Sequence, residues 1–569
     1  MIRRALVCLL VAGAAADAVP VLAAARPASR DRVRFEAAPG QTLLVDGTYP
    51  PASSSSCLGQ PAQPLLHERY RGAVEVRRAS DGSMYLIGEL SFQDYLKGIA
   101  EVPRDWPMEA LRAQVVAARS YALSQLDPGG EYDLCATDAC QVYIGAGIEL
   151  GAWGHRWARA VDDTAGQVLV HRGEPAVTFY SSTSPGRTFD NEEVFGGEPL
   201  PYLRGVVERD DGASPLSRWE VALPYADLRR FLAADGRWGG RRVRRVSVED
   251  GAITVHGTRR RLTLRKADLR DAVNDWAVCL DPARYPPTEP DGYRLPQPVP
   301  SRWFRATPDG RTLVLHGRGW GHGVGMVQWG AYGKAKRGLS SGDILAAYYG
   351  GLRPREHPVP ATIRVLLAQG LTSVTVVPSG DASVERVREP APPWRVTGGR
   401  RLRLRHGSVP RPVLRAAGFD ARAKARVGHR LPAAVDLSSA ARVRLEFLRG
   451  DVVTGTTDWT PFDEGRAPVR AVVPDLAAGR YLVRAAASDG VDTVRTPARK
   501  LRVLAEAPAS PSPSPTPEPP RPSPAAAPAA PRSPGTGITA AAWAAVVLAV
   551  MALVLLLLRG RRRRRLHRA

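Results

Sequence analysis

Lysine is almost missing from this chain. Six lysines stand against 73 arginines, a skew that follows codon bias in a GC-rich genome rather than a phosphate-binding design. The formal charge of +23 therefore does not select nucleic acid as a partner. Seven of the arginines lie in the last eleven residues, and the remaining excess is scattered rather than gathered on one helix. Long apolar runs are confined to the two ends, and no internal repeat of fixed period is present. Cysteine is scarce, with five in 569 residues.

The two apolar ends set the topology. Met1–Ala25 reads as a secretory signal, with Arg3 and Arg4 as its positive end, Ala5–Ala16 as its apolar core and Ala23-Ala24-Ala25 as a small-residue cleavage site. Ile538–Leu558 runs 21 residues without a charge, enough at about 1.5 Å per residue to cross a bilayer core of roughly 30 Å. Arg559 and Arg561–Arg565 follow it, so the positive-inside rule predicts a single-pass cell-membrane protein with an Arg-rich cytoplasmic tail, 559–569, and an extracytoplasmic globular part. Removal of the signal takes Cys8 away and leaves Cys57, Cys135, Cys140 and Cys279. An even count in an exported chain favours two disulfides. Cys135–Cys140 closes a short loop, and Cys57–Cys279 follows by elimination. Between Cys135 and Cys140 stand only Ala136, Thr137, Asp138 and Ala139. Two thiolates without a histidine do not complete a tetrahedral site, so no metal is expected.

Between the ends, residues 32–360 read as an α+β head of two lobes with a cleft. Strands are expected at Val74–Arg77, Met84–Ile87, Gln167–His171 and Ala176–Tyr180, and an αβ segment from Arg218 to Val278. Residues 361–505 alternate in runs such as Ile363–Leu367, Val443–Leu448 and Arg480–Ala486, predicting one or two small β units, with an immunoglobulin-like sandwich a candidate for the last. Residues 506–537 form a Pro-rich linker. Twelve prolines fall within Ala507–Gly537, a stalk that could extend roughly 90 Å at about 3.1 Å per residue.

The chemistry concentrates in Tyr95–Leu123, YLKGIAEVPRDWPMEALRAQVVAARSYAL. Ser91 is a plausible cap for a helix from Phe92 to Ala100, and Pro103 stops it. Trp106-Pro107 opens a second helix, in which Leu111, Val115, Ala118 and Ala122 recur as one apolar stripe. Glu101 therefore sits on a short turn pinned at both ends. An apolar wall, with Trp106 as packing neighbour, would raise its pKa and keep it protonated, as a general acid requires. On spacing alone, a solvated helix-junction acid is the usual reading of such a glutamate.

This stretch resembles the signature of the SpoIID/LytB family of sporulation and cell-wall proteins. In that family the glutamate of the E-x-P-x-x-W-P segment, here Glu101-Val102-Pro103-Arg104-Asp105-Trp106-Pro107, is the catalytic acid of a peptidoglycan lytic transglycosylase. Three further segments are similar to the family in order along the head. Thr178–Thr188, TFYSSTSPGRT, resembles its Tyr-x-Ser stretch, with Pro185 in place of the usual first glycine. Leu315–Ala331, LHGRGWGHGVGMVQWGA, resembles its glycine-rich element, with Val327 where Ser is often found. Ile344–Gly350 resembles its closing helix.

The resemblance implies Glu101 as the catalytic residue and substrate-binding roles for Arg119, Tyr180, Ser182, His322 and Gln328. Arg119, His322 and Gln328 each keep a structural alternative. Arg119 could pair with an acid or meet the acyl or lactyl groups of muramic acid. His322 and Gln328 could hydrogen-bond along a sugar chain, or simply belong to a packed β–α junction. Gly317, Gly319, Gly321, Gly323 and Gly325 alternate, which would let another backbone or a polymer approach closely. They do not match a dinucleotide fingerprint.

No cofactor is implied. The expected partners are peptidoglycan glycan strands, a cell-wall amidase, and the membrane through the C-terminal run. Some of the positive charge could aid adhesion to an anionic wall. A lone glutamate suits a lytic transglycosylase, because the substrate's own C6 hydroxyl replaces the second carboxylate of a retaining glycosidase. Asp94, Asp105 and Glu109 are the nearby acids that would otherwise be asked to serve. The rival expectation is a glycan-binding amidase enhancer without turnover.

Overall fold

Strict alternation builds the first strand. In Arg32–Ala37, Val33, Phe35 and Ala37 point inward while the charged residues between them stay at the surface. It is part of a six-stranded sheet ordered Ala382–Val384, Arg32–Ala37, Ala73–Arg78, Met84–Ser91, Thr362–Leu371 and Leu134–Cys135. A five-stranded sheet, ordered Arg403–His406, Trp394–Thr397, Ser373–Pro378, Leu43–Thr48 and Leu66–Tyr70, contributes to the same core. The computed structural model describes residues 31–50, 66–281, 283–285, 298–385 and 390–504.

These sheets overturn the expected fold, an α+β head of two lobes ending at residue 360 with β units appended. Strand makes up 39% and helix 19%, so strand dominates a mixed fold. Five strands between Thr362 and His406 complete the sheets of the head itself. Thr362–Leu371 pairs antiparallel with Met84–Ser91, and Ser373–Pro378 with Leu43–Thr48. The alternating pattern there was legible, but alternation does not name a partner, and the partners lie more than 250 residues away. Among the described residues no helix is long and apolar enough to cross a membrane. The apolar run 538–558, the Pro-rich 507–537 and the N-terminal signal lie outside the described residues.

The helix Met108–Ser124 organises the site region because it is buried on two sides. Leu111, Val115, Ala118 and Ala122 join the sheet core, while Ala113, Val116 and Ala117 join a second cluster with Val324, Met326, Ile344 and Tyr348. Alanines on that second face let neighbouring elements come close. The segment 219–317 carries its own core, built from a three-stranded sheet, two hairpins' worth of strand and the helices Tyr225–Ala234 and Lys266–Leu280. Its two ends lie side by side, since Trp219 pairs with Gly317, and outside them Thr183 bridges Trp320 and Tyr180 pairs with Met326.

Residues 413–504 form two facing sheets over a further core that includes Val435, Leu445, Phe447 and Val483. The turn Asp489–Asp492 ties this unit to the head. Arg69 donates Nε to the Val491 carbonyl at 2.7 Å, and buried His67 bonds Asp46 at 2.8 Å and Asp492 at 3.2 Å. Those two carboxylates hold the His67 imidazole protonated, with its pKa raised to about 9, the Asp46 hydrogen bond being the chief cause.

Candidate active site

Glu101 leaves a short helix and enters an ordered loop. Ser91 caps Phe92–Lys97 by accepting the Asp94 N–H at 3.0 Å, and Gly98 ends it. Gly98 is required there, because a Cβ would meet the Tyr143 ring at 2.3 Å. The chain beyond the helix then pairs with the stretch around Tyr143. Ile99 bridges Tyr143, Ala100 donates to the Val142 carbonyl at 2.8 Å, and Ile144 donates to Gly98 at 3.0 Å. Past Glu101 the loop is pinned by Arg156, which donates to the carbonyls of Arg104 at 3.2 Å and Trp106 at 2.8 Å. The backbone carrying the carboxylate is thus fixed on both sides.

The carboxylate has three donors. The Val142 N–H reaches Oε1 at 2.7 Å, and the side chains of Tyr180 and Gln328 also hydrogen-bond to it. These bonds favour the charged form, but the loss of solvent outweighs them, and the pKa rises to about 7. The charge of Asp138, in the loop closed by the Cys135–Cys140 disulfide, pushes the same way. Tyr180 is held in turn by Gln141, whose Nε2 donates to the Tyr180 hydroxyl at 2.9 Å and to the Ala118 carbonyl at 3.2 Å. The Tyr95 hydroxyl donates to Gln141 Oε1 at 2.7 Å. In the chain Tyr95–Gln141–Tyr180–Glu101 every member is hydrogen-bonded; Tyr95 and Gln141 are fully buried, while Tyr180 and Glu101 at the other end are partly exposed.

The glycine-rich element serves this arrangement by backbone contact. It is a series of turns, with φ between +72° and +98° at Gly319, Gly321, Gly323 and Gly325. A Cβ on Gly325 would stand 2.0 Å from the Phe179 carbonyl oxygen, and one on Gly319 would stand 2.6 Å from that of Thr183. The close neighbour of Gly319, Gly321 and Gly325 is therefore the 179–184 stretch of this chain, while Gly317 faces the Trp219 ring and Gly323 the Phe189 ring. Tyr180 and Gln328 reach Glu101 because these two segments run parallel, Tyr180 beside Met326 and Ser181 beside Val327.

The other implied residues divide. His322 lies in the same junction, neutral and with its pKa lowered to about 4, chiefly by burial. Its Nδ1 accepts the Val324 N–H at 3.1 Å, and it also bonds the Tyr180 backbone. Ser182 accepts the Trp329 N–H at its carbonyl, 3.1 Å, while its hydroxyl meets Thr183 at 3.2 Å. Arg119 does not belong to the site. It is fully buried and donates to the Val161 and Gln167 carbonyls at 3.3 and 3.1 Å, closing the end of the helix Gly154–Asp163, with its pKa lowered to about 10 by burial. Cys135 and Cys140 are joined, and Cys279 is disulfide-bonded to a cysteine outside the described residues, where Cys57 lies. Among the described residues no group of three or more His, Cys, Asp and Glu could hold a metal ion.

Several residues at the site carry no legible sequence signal. Gln141 and Val142 arrive through the Ile99–Tyr143 pairing alone. An aromatic path also borders the carboxylate. Tyr121 lies close enough for the Glu101 charge to act on it, its ring is 5.9 Å from Phe179, and Phe179 is 4.8 Å from Phe195. Phe195 is 51% exposed, a large ring open to a ligand. Trp106 packs on Trp329 and Tyr332 at 4.8 and 5.1 Å. With Asp105, Pro107 and Lys336 they line a surface pocket of 370 Å³.

Comparison with known proteins places this geometry. The family model described as Stage II sporulation protein, SpoIID, matches residues 80–171, the stretch containing Glu101, Gln141 and Val142. An uncharacterized protein of Brachyspira hyodysenteriae is 34% identical over 276 residues, 48% of this chain and 68% of that protein. Stage II sporulation protein D of Bacillus amyloliquefaciens is 27% identical, over 51% of this chain and 80% of its own length. The amidase enhancer of Bacillus subtilis is 26% identical over 45% of this chain, which spans 39% of that larger protein. The chain belongs to the SpoIID family.

Proposed function

We propose that this protein is a lytic transglycosylase that cleaves peptidoglycan glycan strands, with Glu101 as its single acid/base. The observation that carries the reading is a rigidly held glutamate whose pKa, about 7, keeps a large share of it protonated at neutral pH. Protonated Glu101 donates to the glycosidic oxygen as the C1–O bond of the muramoyl residue breaks. The resulting carboxylate takes the proton from the C6 hydroxyl while O6 bonds to C1. Atoms balance without water, and a 1,6-anhydromuramoyl end results. Val142, Tyr180 and Gln328 stabilise the carboxylate formed between the two proton transfers. Phe195 and the Trp106–Trp329–Tyr332 pocket offer ring faces on which sugars could stack. Action on glycan places the protein outside the cytoplasm.

The test is mass spectrometry of purified glycan strands incubated with the whole chain or with its Glu101→Gln variant. Truncation at residue 361 is unsuitable, since it removes five strands of the head. Anhydromuramoyl products from the wild type and at least a hundredfold fewer from the variant are expected. Equal cleavage by both would sink the reading. Reducing ends would mean hydrolysis and turn attention to Asp138. The similarity to an amidase enhancer favours a second reading, in which the same residues hold glycan for a cell-wall amidase. Uncleaved strands that co-sediment equally with both versions would decide for it.

A further inference from the structure

A second cavity, of 720 Å³, opens on the 219–317 segment, away from the Glu101 carboxylate. Its lining brings together Arg265, Lys266, Arg302, Arg305 and Arg318, five cations against the one carboxylate of Asp250. Arg265 is paired with Asp268 and His316 with Glu220, at 2.9 and 3.0 Å. Lys266, Arg302, Arg305 and Arg318 make no ion pair with any described residue. Four cations without an ion-pair partner around one concavity, with Asp250 as its single carboxylate and Glu193 and Asp271 acting on Arg302 only through space, favour occupation by an anion.

The fold makes the cluster. Arg305 stands opposite His316 in the antiparallel pair Phe304–Asp309 with Thr312–Gly317, and Arg318 follows that strand directly. Lys266 starts the helix Lys266–Leu280 and lies over the Phe304 ring at 5.8 Å. The Arg302 guanidinium lies 4.6 Å over Trp303, and that indole stacks on Phe189 at 3.9 Å. The Trp303 Nε1–H is buried without a hydrogen-bond partner. The charged side chains of the lining thus offer donors almost alone.

We propose that this cavity is a binding site for an anionic, phosphodiester-linked polyol polymer of the poly(glycerol phosphate) kind. A phosphodiester presents only acceptors and one negative charge per unit, which matches a lining of guanidinium and ammonium donors. A peptide stem would bring N–H donors that this lining leaves unmatched, so peptide carboxylates fit it less well. The choice of a wall polymer rests on the function proposed above, but the site takes no part in the reaction assigned to Glu101. It would fasten the protein to a charged wall polymer while the glutamate works on the neighbouring glycan.

The experiment is titration of the full chain with purified poly(glycerol phosphate) at low and physiological salt. The comparisons are Arg305→Ser/Arg318→Ser, the control pair Arg403→Ser/Arg405→Ser on a distant strand, and Glu101→Gln. Arg305, Arg318, Arg403 and Arg405 are all exposed, so neither pair disturbs a core. Binding that weakens with salt, falls at least tenfold in the first pair and is unchanged in the control pair and in Glu101→Gln would bear the proposal out. It is overturned if the wild type does not bind, or if both arginine pairs weaken binding equally. Preference for an uncharged glycan, a carboxylated stem peptide or a DNA oligonucleotide over the polymer would overturn it as well.

Discussion

At the scale of a single residue, Glu101 shows a conflict between stability and chemistry. Burial raises its pKa from 4.5 to about 7, so the folded state binds its proton more tightly than the unfolded state does. The stability this contributes is full below about pH 4.5 and is lost as the pH rises through 7. Glu101→Gln should therefore melt higher than the wild type at pH 8, by about 2 kcal/mol of stability, with the gap closing at pH 5. Thermal melts across that range check it. The proposed reaction starts from the protonated acid, so cleavage should fall as the pH passes 7. Tyr180→Phe removes a bond that favours the charged carboxylate, and the descending limb should move to higher pH. A pH–rate profile of the two forms reads this directly.

At the scale of elements, the active-site region depends on two segments meeting backbone to backbone. Gly325→Ala places a Cβ against the Phe179 carbonyl at a φ of +72°. The expected cost is about 3 kcal/mol or more, together with loss of the Tyr180 and Gln328 contacts to Glu101. Denaturant melts and activity should fail together. Arg119→Met should behave differently. It leaves the carbonyls closing the helix Gly154–Asp163 without their donor and should cost about 2 to 3 kcal/mol. Because Arg119 touches helix ends rather than the site, kcat per folded molecule should stay near the wild-type value, as active-site titration against folded fraction would show.

At the scale of the whole molecule, the unit 413–504 is joined to the head through His67. Its folded pKa, about 9, stands above the ordinary 6.5. The charged contact with Asp46 and Asp492 stabilises fully below about pH 6.5 and is lost as the pH rises through 9. His67→Gln should release the 488–493 turn at neutral pH, seen as faster amide exchange around Val491 and a lower melting temperature. In the wild type the same loosening should appear only above pH 9.

Local chemistry was legible in the sequence alone because it is carried by neighbours along the chain. The Ser91 cap, the turn holding Glu101, the apolar stripe of Leu111, Val115, Ala118 and Ala122, and the family signature all lie within about thirty residues of one another. Spacing also pairs Cys135 with Cys140, since a five-residue loop brings its ends together. What the glutamate meets was decided only by tertiary structure. Val142, Tyr180 and Gln328 come from three separate segments, brought in by an antiparallel bridge and a two-residue parallel pair whose register no periodicity records. The same holds for Arg119, whose residue type suits a substrate contact as well as a helix end, and for the strands after residue 361, whose alternation shows a buried face but not the sheet that buries it. Burial then did what no sequence position can specify. By taking much of the water from one side chain, it raised an ordinary carboxylate to a pKa of about 7.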